Sequence, residues 1–151
     1  MDAPGLFART FPSLDRAVQV GVVGGKVIGV SFPADPPEDA DPDHPLLDRI
    51  EAYLGGEPDD FDDVEVGLTV PTDHRRVLEA TRNVPYGETV SLDRVIRMAG
   101  LDPEERADVE TAKTALAENP VPIFVPDHRV RDAPGATPDS VARRLRALES
   151  D

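Results

Sequence analysis

No cysteine occurs in the 151 residues. That absence excludes a disulfide framework, a thiolate metal site and a cysteine nucleophile together. Lysine is nearly missing as well, with only Lys26 and Lys113 beside 14 arginines. There is no unbroken run of apolar residues long enough to cross a bilayer, so no membrane contact is expected. The opening MDAPGLFARTFPSLDRA lacks a basic start followed by an apolar stretch, which argues against a secretory signal and for a cytoplasmic protein. His44, His74 and His128 lie far apart and form no ligand-spaced cluster, so neither a metal nor another cofactor is expected. Gly24-Gly25 reads as a hairpin turn, not as a phosphate-cradling loop.

What is abundant is acid. Sixteen basic and 30 acidic residues give a formal charge of −14. Asp outnumbers Glu 19 to 11. An Asp-rich, lysine-poor composition suits a halophile, whose acidic surfaces hold water in concentrated salt. At molar salt the Debye length falls to about 3 Å, so the net charge does not by itself exclude a polyanionic partner. The charge is also uneven. Residues 1–70 hold 4 basic and 15 acidic groups, whereas residues 71–151 hold 12 and 15. The second half is the better contact surface for a polyanion.

The length suits one ordinary domain or two small ones. Val18 to Phe32 reads as two β-branched runs around Gly24-Gly25, a hairpin signal. PADPPEDADPD is a solvated loop, and HPLLDRIEAYLGG a helix with Leu46, Leu47, Ile50, Tyr53 and Leu54 inward, stopped at Gly55. A short strand is expected over Val64 to Leu68. These elements make an α/β unit over residues 1–70. Over 71–151 the character is helical. Thr72 is expected to cap a helix reaching Asn83, with Val77, Leu78 and Thr81 inward, and Ser91 to open LDRVIRMA, closed by Gly100. Asp102-Pro103-Glu104-Glu105 reads as the start of a helix over Asp102 to Glu118. Thr137-Pro138 opens a last helix with Val141, Leu145 and Leu148 inward. Short helices joined by a Gly-containing turn suit a helix-turn-helix relative.

IFVPDHRV, Ile123 to Val130, sets Asp127, His128 and Arg129 in succession after an apolar run. An acid beside an imidazole can move protons, and it can equally tie a loop; the residues alone leave both open.

Three strings in order, VPYGETVS from Val84, ENPVPIFVPDHRV from Glu118 and RRLRALE from Arg143, make the chain resemble the DNA alkyltransferases, which repair guanine alkylated at its exocyclic oxygen. The resemblance implies a ribonuclease-H-like α/β subdomain over 1–70 and a mostly α, winged helix-turn-helix-like DNA-binding domain over 71–151. It places Asp127 where members carry the alkyl-accepting cysteine. A carboxylate is hard, weak and well solvated beside a thiolate, so stoichiometric dealkylation is expected to be lost and the chain not to be an enzyme.

On the same resemblance His128 and Glu149 are the retained supporting residues. Glu110 falls on the finger arginine, Leu92 on the phosphate-rotating tyrosine, and Lys113 and Thr114 on the small residues of the recognition helix. Glu110, Lys113, Thr114, Asn119 and Arg129 are thus expected at DNA, and Tyr86, Leu92, Pro122, Asp127 and His128 around a base. The segment RDAPGATPDSVA is shortened and lacks the family's Gly-rich pattern. Alkyltransferase-like proteins also replace the cysteine yet bind the lesion and recruit repair. The expected function is therefore non-catalytic binding of double-stranded DNA by a monomer, sensing alkylated guanine for a repair partner. Two alternatives stand beside it: a protein-interaction module that has left DNA, and a residual enzyme using Asp127 and His128.

Overall fold

The computed structural model describes residues 5–150; the first four residues of the N-terminal stretch read above lie outside the described residues. Alternating apolar residues drive a three-stranded antiparallel meander, β1 (Gly5–Phe11), β2 (Arg16–Val23) and β3 (Lys26–Ser31), in the order β1-β2-β3. Val18, Val20 and Val22 share one buried face of β2. The β2-β3 turn needs positive φ at both central residues, and Gly24 (60°) and Gly25 (78°) supply it.

Five helices follow: α1 (Pro45–Leu54), α2 (Thr72–Arg82), α3 (Leu92–Met98), α4 (Arg106–Ala117) and α5 (Asp139–Glu149). His44 caps α1 by accepting from the Leu46 amide, and Ser91 caps α3 by accepting from Arg94. Three sequence expectations need correction. The Val64 to Leu68 segment is no strand; it touches β3 through one bridge, Val27 to Val66, with acidic turns cutting it short. Thr72 lies inside α2, whose cap position is Pro71 with no side-chain cap. Asp102 caps only a turn, accepting from Glu104 at 2.9 Å, so α4 begins at Arg106. The last helix, α5, opens directly after Thr137-Pro138, as expected, with Pro138 at its cap position. The strand β1 carries Arg9 and Thr10 and was not expected from the sequence.

Two apolar clusters form. One joins the inner face of the sheet to Leu47, Ile50, Tyr53 and Phe61, and also takes in Leu78, Val121, Phe124, Val125, Val141 and Leu145. The other gathers Val77, Val84, Val95, Ile96, Ala112, Leu116 and Val130. Adjacent residues of α2, Val77 and Leu78, enter different clusters, so that helix holds both together. Among the described residues no helix is long and apolar enough to cross a membrane.

Candidate functional site

The segment after α4 doubles back sharply. Asn119 organises the reversal: its Oδ1 accepts from the Val121 amide at 3.1 Å, and its Nδ2 donates to the Val125 carbonyl at 3.0 Å and to Asp127 Oδ2 at 2.9 Å. Ile123 sits at φ 77°, a costly backbone for a β-branched residue. The chain then makes one 3-10 turn over Asp127–Arg129, and all three side chains are buried, at 2%, 2% and 3% exposure. Three consecutive ionisable residues in a core require partners.

Glu149, at the end of α5, supplies them. Its carboxylate accepts from Tyr53 Oη, from His128 Nε2 at 2.9 Å, and from Arg129 Nε and Nη2, each at 2.9 Å. Burial pushes the Glu149 carboxyl upward, but the hydrogen bonds from His128 and Arg129 outweigh it and hold the group down to about 2. Burial alone would lower Arg129, yet its bonds to Glu149 raise it. Burial and the neighbouring Glu149 charge push Tyr53 up, so the phenol stays a donor. Arg129 Nη1 also donates to the Val84 carbonyl at 2.7 Å and to Asp60 at 3.1 Å, while the Arg129 guanidinium lies 5.7 Å from the Tyr86 ring centre.

Asp127 faces the other way. Its Oδ2 accepts from Asn119 Nδ2 and from the amides of Ala136 at 3.1 Å and Thr137 at 3.4 Å, which draws the 131–138 segment down over it. Gly135 makes that approach possible. A Cβ there would stand 2.3 Å from Asp127 Cγ and 2.6 Å from Oδ1. Gly135→Ala is therefore expected to force the segment off Asp127 and cost about 1–3 kcal/mol. Thermal melting checks this, and an unchanged midpoint would show that the segment does not rest on Asp127.

A pocket of about 280 Å³ lies beneath this segment, with Asp127, His128, Gly135, Thr137, Arg131 and Arg146 among its walls. That sits just under the ~300–1,000 Å³ usual for small-molecule sites. Of the residues expected around a base, the structure brings only Asp127 and His128 to it. Leu92 is packed in the second cluster, Pro122 is buried in the reversal, and Tyr86 lies against Tyr53 and Arg129. Those three do not line this pocket, because apolar burial and the arginine network claim their side chains.

The expected DNA-facing residues also divide. Glu110, Lys113 and Thr114 share the exposed face of α4, and Arg106 joins them one turn earlier. Asn119 and Arg129 do not belong there. Both are buried and spent on internal bonds, so neither can reach a phosphate. Tyr53, Asp60, Gly135 and Thr137 were not singled out from the sequence. Among the described residues no group of three or more His, Cys, Asp or Glu is placed to hold a metal.

Residues 73–150 match the family model described as 6-O-methylguanine DNA methyltransferase, DNA binding domain. A methylated-DNA–protein-cysteine methyltransferase of Methanopyrus kandleri is 39% identical over 92 residues, covering 61% of this chain and 66% of the relative. One of Mycobacterium tuberculosis is 37% identical over 89 residues, 59% of this chain and 51% of the relative. The matches thus span about half to two thirds of the length of these curated relatives. The crystal structure of Mycobacterium tuberculosis OGT in complex with DNA superposes with a TM-score of 0.76 at 26% identity, covering 96% of this chain and 92% of that one. The chain belongs to the 6-O-methylguanine DNA methyltransferase DNA-binding domain family.

Proposed function

We propose that this chain is a non-catalytic, alkyltransferase-like protein that lays the exposed face of α4 on double-stranded DNA and senses alkylated guanine for a repair partner. The observation that carries it is the placement of α4 within the span matched by the DNA-binding family model, with Arg106, Lys113 and Thr114 outward and Ala112, Ala115 and Leu116 buried beneath. On this reading residues 71–151 form a winged helix-turn-helix-like domain, and the sheet with α1 is a ribonuclease-H-like subdomain within 1–70. The chain has no cysteine to accept an alkyl group. Asp127 stands in the acceptor's place, and its Oδ2 is committed to three donors. A carboxylate is a hard, weak nucleophile toward saturated carbon, and this one is buried.

The test is a titration of fluorescent duplexes with and without O6-methylguanine, from ~0.1 M to molar potassium chloride. Saturable binding is expected at both ends. Glu110 on the docking face opposes phosphate, so Glu110→Arg should tighten binding and steepen the salt dependence by about 1–2 in log–log slope. Absence of saturable binding to either duplex would overturn the reading. Glu110 and the −14 charge favour a second reading, a protein-interaction module. Partners that survive nuclease treatment in a pull-down, with no duplex binding, would select it.

A further inference from the structure

The outer edge of β3 is covered by the 64–68 segment: Val27 donates to the Glu65 carbonyl at 3.0 Å and accepts from the Gly67 amide at 2.8 Å. Backbone groups of an extended segment alternate in direction, so those of residues 64, 66 and 68 point the other way, toward α2. Two of them are answered from that helix. Arg82 Nη2 donates to the Val64 carbonyl, and Arg75 Nη2 to the Leu68 carbonyl at 2.8 Å. Between them, among the described residues, the N–H and C=O of Val66 and the N–H of Leu68 have no hydrogen-bond partner. Four extended residues span about 13 Å, so the two arginine heads bracket room for about three residues of another chain.

A cavity of about 870 Å³ opens beside this edge, with Val64, Leu78 and Val125 among its apolar walls and Lys26, Arg75 and Arg82 among its charged ones. None of the three cations makes an ion pair among the described residues. Arg82 is half-buried, which lowers its pKa, and its Nη1 is left unbonded. Of the acids on the same walls, Asp63 is taken by Arg49, while Asp62, Glu65 and Glu79 are exposed. Salt screens exposed charges far more than a half-buried one. The guanidinium therefore calls for one carboxylate, and the acidic rim turns away a segment that carries several.

We propose that this edge binds an extended peptide segment of a partner protein, which pairs its main chain with Val66 and sets a single acidic side chain on Arg82. Main-chain pairing supplies the affinity and the carboxylate the choice of segment. No residue of α4 lines the cavity, so this surface and the proposed DNA face are separate, and the inference does not rest on the DNA reading.

The probe is acetyl-Val-Glu-Val-amide, titrated in molar potassium chloride into the isotope-labelled full chain and followed by amide chemical shifts. The Val66 and Leu68 amides should move downfield and saturate. The glutamine counterpart, acetyl-Val-Gln-Val-amide, should bind about tenfold more weakly, the low end for a hydrogen bond to a charged group. The glutamate peptide methylated on every amide nitrogen has no main-chain donor and should not saturate. Val66→Pro removes an N–H that the fold does not use, so the chain should still fold while the Leu68 shift is lost. No saturable shift at Val66 and Leu68 overturns the inference, and so does equal binding of the glutamine or the methylated peptide. Duplex binding without peptide binding overturns it and leaves the DNA reading standing. Peptide binding with these preferences but without duplex binding supports it and overturns the DNA reading instead.

Discussion

Replacing Glu149 with glutamine is expected to destabilise the protein by about 3–5 kcal/mol, because it leaves the buried Arg129 charge without its main partner. The carboxylate accepts four hydrogen bonds from Tyr53, His128 and Arg129. An amide can accept with one oxygen only, and its NH2 would face donors. Asp60 still pairs with Arg129, but its side chain is 43% exposed and cannot neutralise the buried end of the guanidinium. The melting temperature should fall by roughly 10–20 °C, measured in molar potassium chloride. A loss below ~1 kcal/mol would mean that Glu149 does not organise this core. The double variant Arg129→Met, Glu149→Leu should be less destabilised than either single change, since it buries no lone charge.

The same residue sets an acid limb. The folded Glu149 carboxyl lies at about 2, below its ordinary 4.5. A depressed carboxyl stabilises the fold fully above the unfolded value, and that contribution is lost as pH falls from about 4.5 toward 2. Linkage puts it at about 3 kcal/mol. Urea midpoints taken through this window should fall steeply for the parent protein and far less for Glu149→Gln.

How much of this was legible in the sequence follows from how local each cause is. The β2-β3 hairpin was readable because Gly24-Gly25 imposes its own turn, and α3 because Ser91 caps it within four residues. The strand β1 was not. Its partners lie on β2 and it carries no turn signal of its own. The start of α4 was misplaced because Asp102 satisfies its neighbours in a turn that looks, in sequence, like a helix cap. At the site, His128 and Glu149 were found by resemblance and do meet. Tyr53 and Asp60 were missed because they act across separations of 96 and 69 residues. Arg129 was read as a DNA contact because an arginine in the more basic half looks like surface. Only the placement of Glu149 beneath it reveals a buried ion pair.

Asp127→Cys brings the proposed function and the fold into one measurement. The substitution restores a thiol where the resemblance places the alkyl acceptor, yet it removes the carboxylate that gathers Asn119 Nδ2 and the amides of Ala136 and Thr137. Sulfur accepts hydrogen bonds weakly; Asn119 Nδ2 keeps the Val125 carbonyl and the Ala136 amide keeps the Leu116 carbonyl, so the buried Thr137 amide is the donor left without a strong partner. A cost of about 1–3 kcal/mol is expected, read as a melting temperature lower by roughly 2–12 °C. Alkyl transfer should not return with the thiol. The 131–138 segment has only one glycine to lie against residue 127, Glu110 stands on α4 where the resemblance places the finger arginine, and Leu92 is packed in the core. Mass spectrometry after incubation with an O6-methylguanine duplex should therefore find the Asp127→Cys protein unmodified. Stoichiometric gain of a methyl group would show the reverse: that the chain still presents an alkylated base to residue 127, and that the missing acceptor alone separates it from its methyltransferase relatives.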